Sequence, residues 1–196
     1  MYSGSPVFYN IACQAEQTHT EQINLLIDKW PDLVDDPEDS TVFVNDCPDT
    51  IPDNIGEFTE VFVDENGEYF KGKFDYLIGK ATDQLEALKV GGLIEELDMK
   101  DIRVCNDVIV TNGFECGGLE NTGVRAIINT LSNLLAGSEN HLCAFVGQIL
   151  ANPDNDGACY KVQVLSESEV GTIISNNCSE LFTSYGDDKV VCGYTP

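Results

Sequence analysis

Hydrophobic positions recur along the chain in two rhythms, and the change from one to the other marks the elements. In the second half, Val124, Ile127, Ile128, Leu131, Leu134 and Leu135 recur every three or four residues. That spacing lines one face of a helix beginning near Asn121, which Gly137 is placed to stop. "HLCAFVGQIL" (141–150) and "CYKVQVL" (159–165) read as strands on either side of a turn, "NPDNDG"; the apolar, β-branched and aromatic residues suit a sheet, and the Asn, Asp and Gly suit a reversal. Ser166 or Ser168 then caps a second helix whose stripe is Val170, Ile173, Ile174, Cys178, Leu181, Phe182 and Tyr185, with Gly186 as its terminator. "KVVCGY" (189–194) closes as a strand and "RVCNDVIV" (103–110) opens as one. The order is β-α-β-β-α-β, in which two helices cover one face of a four-stranded sheet.

The first half repeats the plan less regularly. "VFYNIAC" (7–13) is strand-like, and Thr20 precedes a helical stripe of Ile23, Leu26, Ile27 and Trp30 that Pro31 bounds. "STVFVNDC" (40–47) is a second strand, and Asn66-Gly67 sits between alternating apolar runs as a hairpin turn. A further helix runs through Leu77, Ile78, Ala81, Leu85 and Leu88. "VGGLIEELDMKD" (90–101) ends it and supplies a closing strand and a linker. The expected fold class is therefore α+β: two ferredoxin-like split β-α-β-β-α-β sandwiches in tandem, residues 1–100 and 101–196. Because "HLCAFVGQIL" is apolar on both faces, the open side of its sheet is expected to meet the other half or a second copy, as in a homo-oligomer.

Eight cysteines, Cys13, Cys47, Cys105, Cys116, Cys143, Cys159, Cys178 and Cys192, form an even set without C-x-x-C spacing. They read as disulfides, which places the chain in an oxidising compartment. Cys178 lies on the apolar stripe of its helix and so faces inward, where Cys192, Cys159 and Cys105 each stand as a mate. Autonomous halves keep their own staples, which joins Cys13 to Cys47 and pairs the other six within the second half.

A disulfide-rich unit with an inward helical cysteine, as in "LSESEVGTIISNNCSELFTSYGDDKVVCGY" (165–194), resembles the α/β-sandwich subunits of the viral killer toxins of smut fungi and similar secreted fungal effector proteins. The resemblance implies a secreted, extracellular, effector-like or toxin-like protein of fungal origin with a role in virulence. It implies no catalytic residue.

Composition narrows the partners. Ten Lys and Arg stand against 34 Asp and Glu, a net charge of −24, which opposes nucleic acid and anionic membranes and favours a basic or cationic macromolecule, most simply a protein. No apolar run approaches a membrane span, and the N-terminus lacks the basic and apolar regions of a leader, as a mature secreted chain would. The acidic residues Asp35, Asp36, Glu38, Asp39, Asp53, Glu57 and Glu60 are the expected partner-binding surface. No cofactor, metal site or catalytic residue is expected. His19 and His141 read as surface residues, and "NPDNDG" starts like a calcium loop but reaches Gln163 where a bidentate Glu is needed. The alternatives to a binding protein are a secreted hydrolase using paired carboxylates and an extracellular self-assembling structural protein.

Overall fold

The computed structural model describes residues 6–29, 77–103, 119 and 124–194, and among these the chain is helical, with one isolated β-bridge and no strand. It divides into two compact units, residues 1–79 and 80–196.

In the first unit α1 (Pro6–Tyr9), a π-helical segment (Asn10–Ala15) and α2 (Glu16–Lys29) follow one another without a break. The expected strand "VFYNIAC" is thus helical. Propagating an existing helix backwards fixes one residue per added bond, whereas a lone strand needs a partner. Threonine fits this helix because Thr18 Oγ1 donates to the Gln14 carbonyl at 3.2 Å and Thr20 Oγ1 to that of Glu16 at 2.9 Å.

The second unit is built on two long helices, α3 (Gln84–Arg103) and α4 (Arg125–Ala151). Asp83 starts α3 by accepting the Glu86 N–H on Oδ1 at 2.8 Å. Helix α4 has 27 residues, a length of about 40 Å. It passes through Gly137 and takes in the whole of 141–150. Leu134, Ser138, Leu142, Phe145, Val146, Ile149 and Leu150 are all buried on it, so the helical period continues across the glycine. A Gly in a helix interior costs about 1 kcal/mol, less than burying the next Leu or Phe returns. Residues 90–101, expected as strand and linker, are the body of α3.

Helices α3 and α4 are packed in one register. A Cβ on Gly91 would land in the Phe145 ring, Glu95 faces His141, and Asp98 accepts from Ser138 at 2.5 Å. Each step of four or three residues along α3 is matched by the same step back along α4, so the two run antiparallel. Gly91 is what lets them come close, and Gly92 beside it leaves room for Tyr160 beyond α4, whose hydroxyl would lie 2.5 Å from a Cβ there.

Beyond α4, Asn152 caps a 3-10 turn (Pro153–Asn155) by accepting the Asp154 N–H, and Asp156 and Gly157 take positive φ of 50° and 70°. The expected turn at "NPDNDG" is present. The segment after it is not a strand, because among the described residues its only ladder contact is the parallel bridge between Tyr160 and Val191. Helix α5 (Glu167–Asn177) opens on a capping box in which Ser166 and Glu169 satisfy each other's N–H groups. The Ser166 hydroxyl, then its backbone N–H, hold the Glu169 carboxyl below its ordinary range. The expected single helix 170–185 is interrupted at Cys178, resumes as α6 (Glu180–Tyr185), and stops at Gly186 with φ 89°. A short α7 (Asp187–Val190) and the bridge at Val191 replace the final strand.

With no sheet among the described residues, the ferredoxin-like sandwich is overturned, and so is the open sheet face through which copies were to associate. "STVFVNDC", the Asn66-Gly67 hairpin and residues 104–110 lie outside the described residues.

The two glycines that meet rings give a contrasting expectation. Gly91→Ala gains helix propensity but must displace Phe145, which is 3% exposed and walled in, so a net loss of about 1–2 kcal/mol is expected. A Cβ on Gly171 meets the ring of Tyr194, which is only half-buried and rests against Phe182 with ring centroids 5.7 Å apart, so it has more room to give than Phe145. Gly171→Ala should be roughly neutral. Denaturant midpoints of the two variants check this, and equal losses would contradict it.

Candidate functional site

Adjacent residues on a helix point about 100° apart, so Glu95 and Glu96 of α3 serve different neighbours. Glu96 is fully buried. Its carboxylate accepts from the Tyr160 hydroxyl at 2.7 Å and from the backbone N–H groups of Gln163, Val164 and Leu165 at 3.0, 2.6 and 2.9 Å. Four donors make it the anchor of the 160–165 segment, which has no sheet among the described residues to satisfy its amides. Burial first, and the Glu96 charge second, push the Tyr160 phenol well above its ordinary value, so it remains a donor.

Glu95 faces α4. Its side chain is 5% exposed and that of His141 11%, and Glu95 Oε2 stands 3.4 Å from His141 Nδ1. A turn further along α3, Asp98 and the buried Ser138 continue the polar layer. At its edge, Arg103 bonds Glu139 at 3.2 Å and approaches Glu169 at 3.8 Å, while Asn177 donates to Glu139 at 3.2 Å. An open groove of about 350 Å³ lies over this edge, lined by Arg103, Glu139, Glu169 and Thr172 among others. Its one guanidinium is already matched by two carboxylates.

The first unit, taken by itself, offers a second carboxylate–imidazole pair. Glu16 and His19 stand one turn apart on α2, with Oε2 and Nδ1 3.1 Å from each other and side chains 39% and 16% exposed. They follow directly on the π-helical segment, a rare feature that recurs at functional sites.

Neither histidine is therefore the surface residue expected. Cys178 does face inward, at 5% exposure, but its mate is Cys143 of α4, which was not among the three foreseen; Cys159 joins Cys192 instead. Cys13 lies on the π-helical segment with its side chain outside the description. Cys47, Cys105, Cys116 and the seven acidic residues Asp35, Asp36, Glu38, Asp39, Asp53, Glu57 and Glu60 are outside the described residues altogether. Sequence reasoning missed Glu95, which sits in a segment read as strand. It had one usable signal for the other pair, the Glu-x-x-His spacing at 16–19.

A family model described as an uncharacterized protein domain (DUF2202) matches residues 2–177. An uncharacterized protein of Methanocaldococcus jannaschii, MJ0754, is 28% identical over 176 residues, which is 87% of this chain and 72% of the relative. No solved structure matches. The archaeal relative and the helical fold together overturn the likeness to fungal killer toxins and effectors.

Proposed function

We infer function from the premise that the chain belongs to the family described as uncharacterized protein domain (DUF2202), and propose that it binds a divalent transition-metal ion through Glu95 and His141. The observation that carries this reading is their spacing in a buried layer. At 3.4 Å the two atoms are further apart than a good hydrogen bond, about 2.7–3.2 Å. Two ligand atoms each about 2.1 Å from one tetrahedral ion stand about 3.4 Å from each other. A mixed imidazole and carboxylate set suits zinc, iron or manganese, and helix bundles build such sites from side chains on facing helices. An ion needs at least two further ligands, supplied by water or by other side chains. Both Glu95 and His141 fall inside the family match.

Cobalt(II) is the probe, because its visible spectrum reports nitrogen and oxygen ligation. The chelator-treated full chain is expected to bind it with a spectrum of low coordination number. Glu95→Gln and His141→Gln should each weaken binding by more than the roughly 10- to 100-fold that loss of an outer-shell partner costs. Absence of binding in the parent chain, or unchanged affinity in both α3–α4 variants, would leave Glu95 and His141 as a structural pair and end the proposal.

A further inference from the structure

The two described disulfides differ in where they lie. Cys143 and Cys178 are 8% and 5% exposed, closed inside the packing of α4 on the end of α5. Cys159 and Cys192 are half-buried and sit among exposed residues, with Gly157 and Ala158 before one and Gly193 after the other. A disulfide that solvent reaches is open to thiol exchange, and a buried one is protected. The family match ends at residue 177, so each of the two bonds ties a cysteine within the family region to one beyond it.

What it ties down reaches the candidate metal ligands. Cys159 and Cys192 adjoin the bridged residues Tyr160 and Val191, where the Tyr160 N–H donates to the Val190 carbonyl and the Cys192 N–H to the Tyr160 carbonyl, each at 3.0 Å. Val190 and Val191 are fully buried there. Tyr160 in turn donates to Glu96 at 2.7 Å, and Glu96 is the chain neighbour of Glu95. The chain of contacts runs from the outer staple through a backbone bridge and a phenol to the helix turn that carries Glu95.

We propose that Cys159–Cys192 is a redox latch: opening it loosens the 190–194 segment from Tyr160 and weakens metal binding at Glu95 and His141. The second half rests on the metal reading above. The reductant is a dithiol. Its thiolate attacks one sulfur of the bond to give a mixed disulfide, and its second thiol displaces that link. Two electrons pass to the protein, Cys159 and Cys192 leave as thiols, and the dithiol leaves as a cyclic disulfide.

Titration of the folded chain with dithiothreitol, with alkylation and peptide mapping, is expected to open Cys159–Cys192 well before Cys143–Cys178. Hydrogen exchange at the Tyr160 and Cys192 amides should then accelerate while amides of α4 keep their protection. The metal half is tested without reductant in the Cys159→Ser/Cys192→Ser chain, whose cobalt(II) affinity should fall about tenfold, the scale of losing an outer-shell partner. Tyr160→Phe, which keeps the ring and the staple but loses the bond to Glu96, should reproduce that fall. Earlier opening of the buried bond, or unchanged exchange at Tyr160, would overturn the latch. Unchanged affinity in the double-serine chain would overturn its coupling to the metal. Failure of the oxidised parent chain to bind cobalt(II) would instead count against the metal reading and with it the coupling, leaving the latch to be decided by exchange alone.

Discussion

Replacing Glu96 by alanine is expected to lower the stability of the 80–196 unit by about 3–5 kcal/mol, because it takes a buried acceptor away from the four donors that bond it. The carboxylate is the acceptor for a phenol and three backbone amides. None of those donors has a sheet partner to turn to, and each buried donor left unmatched costs about 1–3 kcal/mol until the segment moves out to water. That movement sets the upper limit. Glu96→Gln keeps one acceptor oxygen but turns an NH₂ group towards amide donors, so a smaller loss is expected. Tyr160→Phe removes a single bond and should lose about 1–2 kcal/mol. Guanidinium unfolding of the three variants gives the order Ala, Gln, then Phe. A Glu96→Ala loss below about 1 kcal/mol would mean that the 160–165 segment is held by something other than this carboxylate.

The second large effect is expected from the staples. Cys143–Cys178 closes a sequence separation of 35 and Cys159–Cys192 one of 33. Loops of that length lose nearly the same chain entropy, worth about 4 kcal/mol each. Removing either pair as a double alanine variant should therefore cost about that much, and a difference between them reports packing. The buried pair on α4 should lose more than the half-buried one, since its sulfurs fill space against the end of α5. Unfolding without reductant measures both. A larger loss at Cys159–Cys192 would contradict the account of which staple lies in the core.

Much of the helical pattern was legible. The stripe from Ile127 to Leu135, the cap at Ser166, the turn at 152–157 and the stop at Gly186 all stand where three- and four-residue spacing and turn chemistry put them, while Val124 lies just before the helix and is exposed. The sheet came from two misread signals. A ten-residue run as apolar as 141–150 has almost no polar positions to show its period, although Leu142, Phe145, Val146, Ile149 and Leu150 are helix-spaced. Glycine in a sequence reads as a helix breaker. Gly137 lies within α4, and Gly91 and Gly92 exist for the close approach of Phe145 and Tyr160, a reason visible only once the partners are known. The candidate site was harder still. Glu95 and His141 come together only through the register of two helices far apart in sequence, and nothing local to either marks it. The Glu16 and His19 spacing is readable, but a His near an acid on a helix is common on surfaces, and nothing local shows that the His19 side chain is only 16% exposed.

The shared register of α3 and α4 also constrains how this sequence can change over evolution. Inserting or deleting one residue between Gly91 and Ile102 would turn everything beyond it by about 100°. Glu95 or Asp98 would then swing away from His141 or Ser138, and a methylene-bearing side chain would enter the gap that glycine keeps for Phe145. Substitutions can be accepted there one at a time, but changes of length cannot. Homologous chains should accordingly place their gaps outside 91–102 and 134–145, and a residue altered at 95 should be answered by one at 141 more often than by either of its chain neighbours.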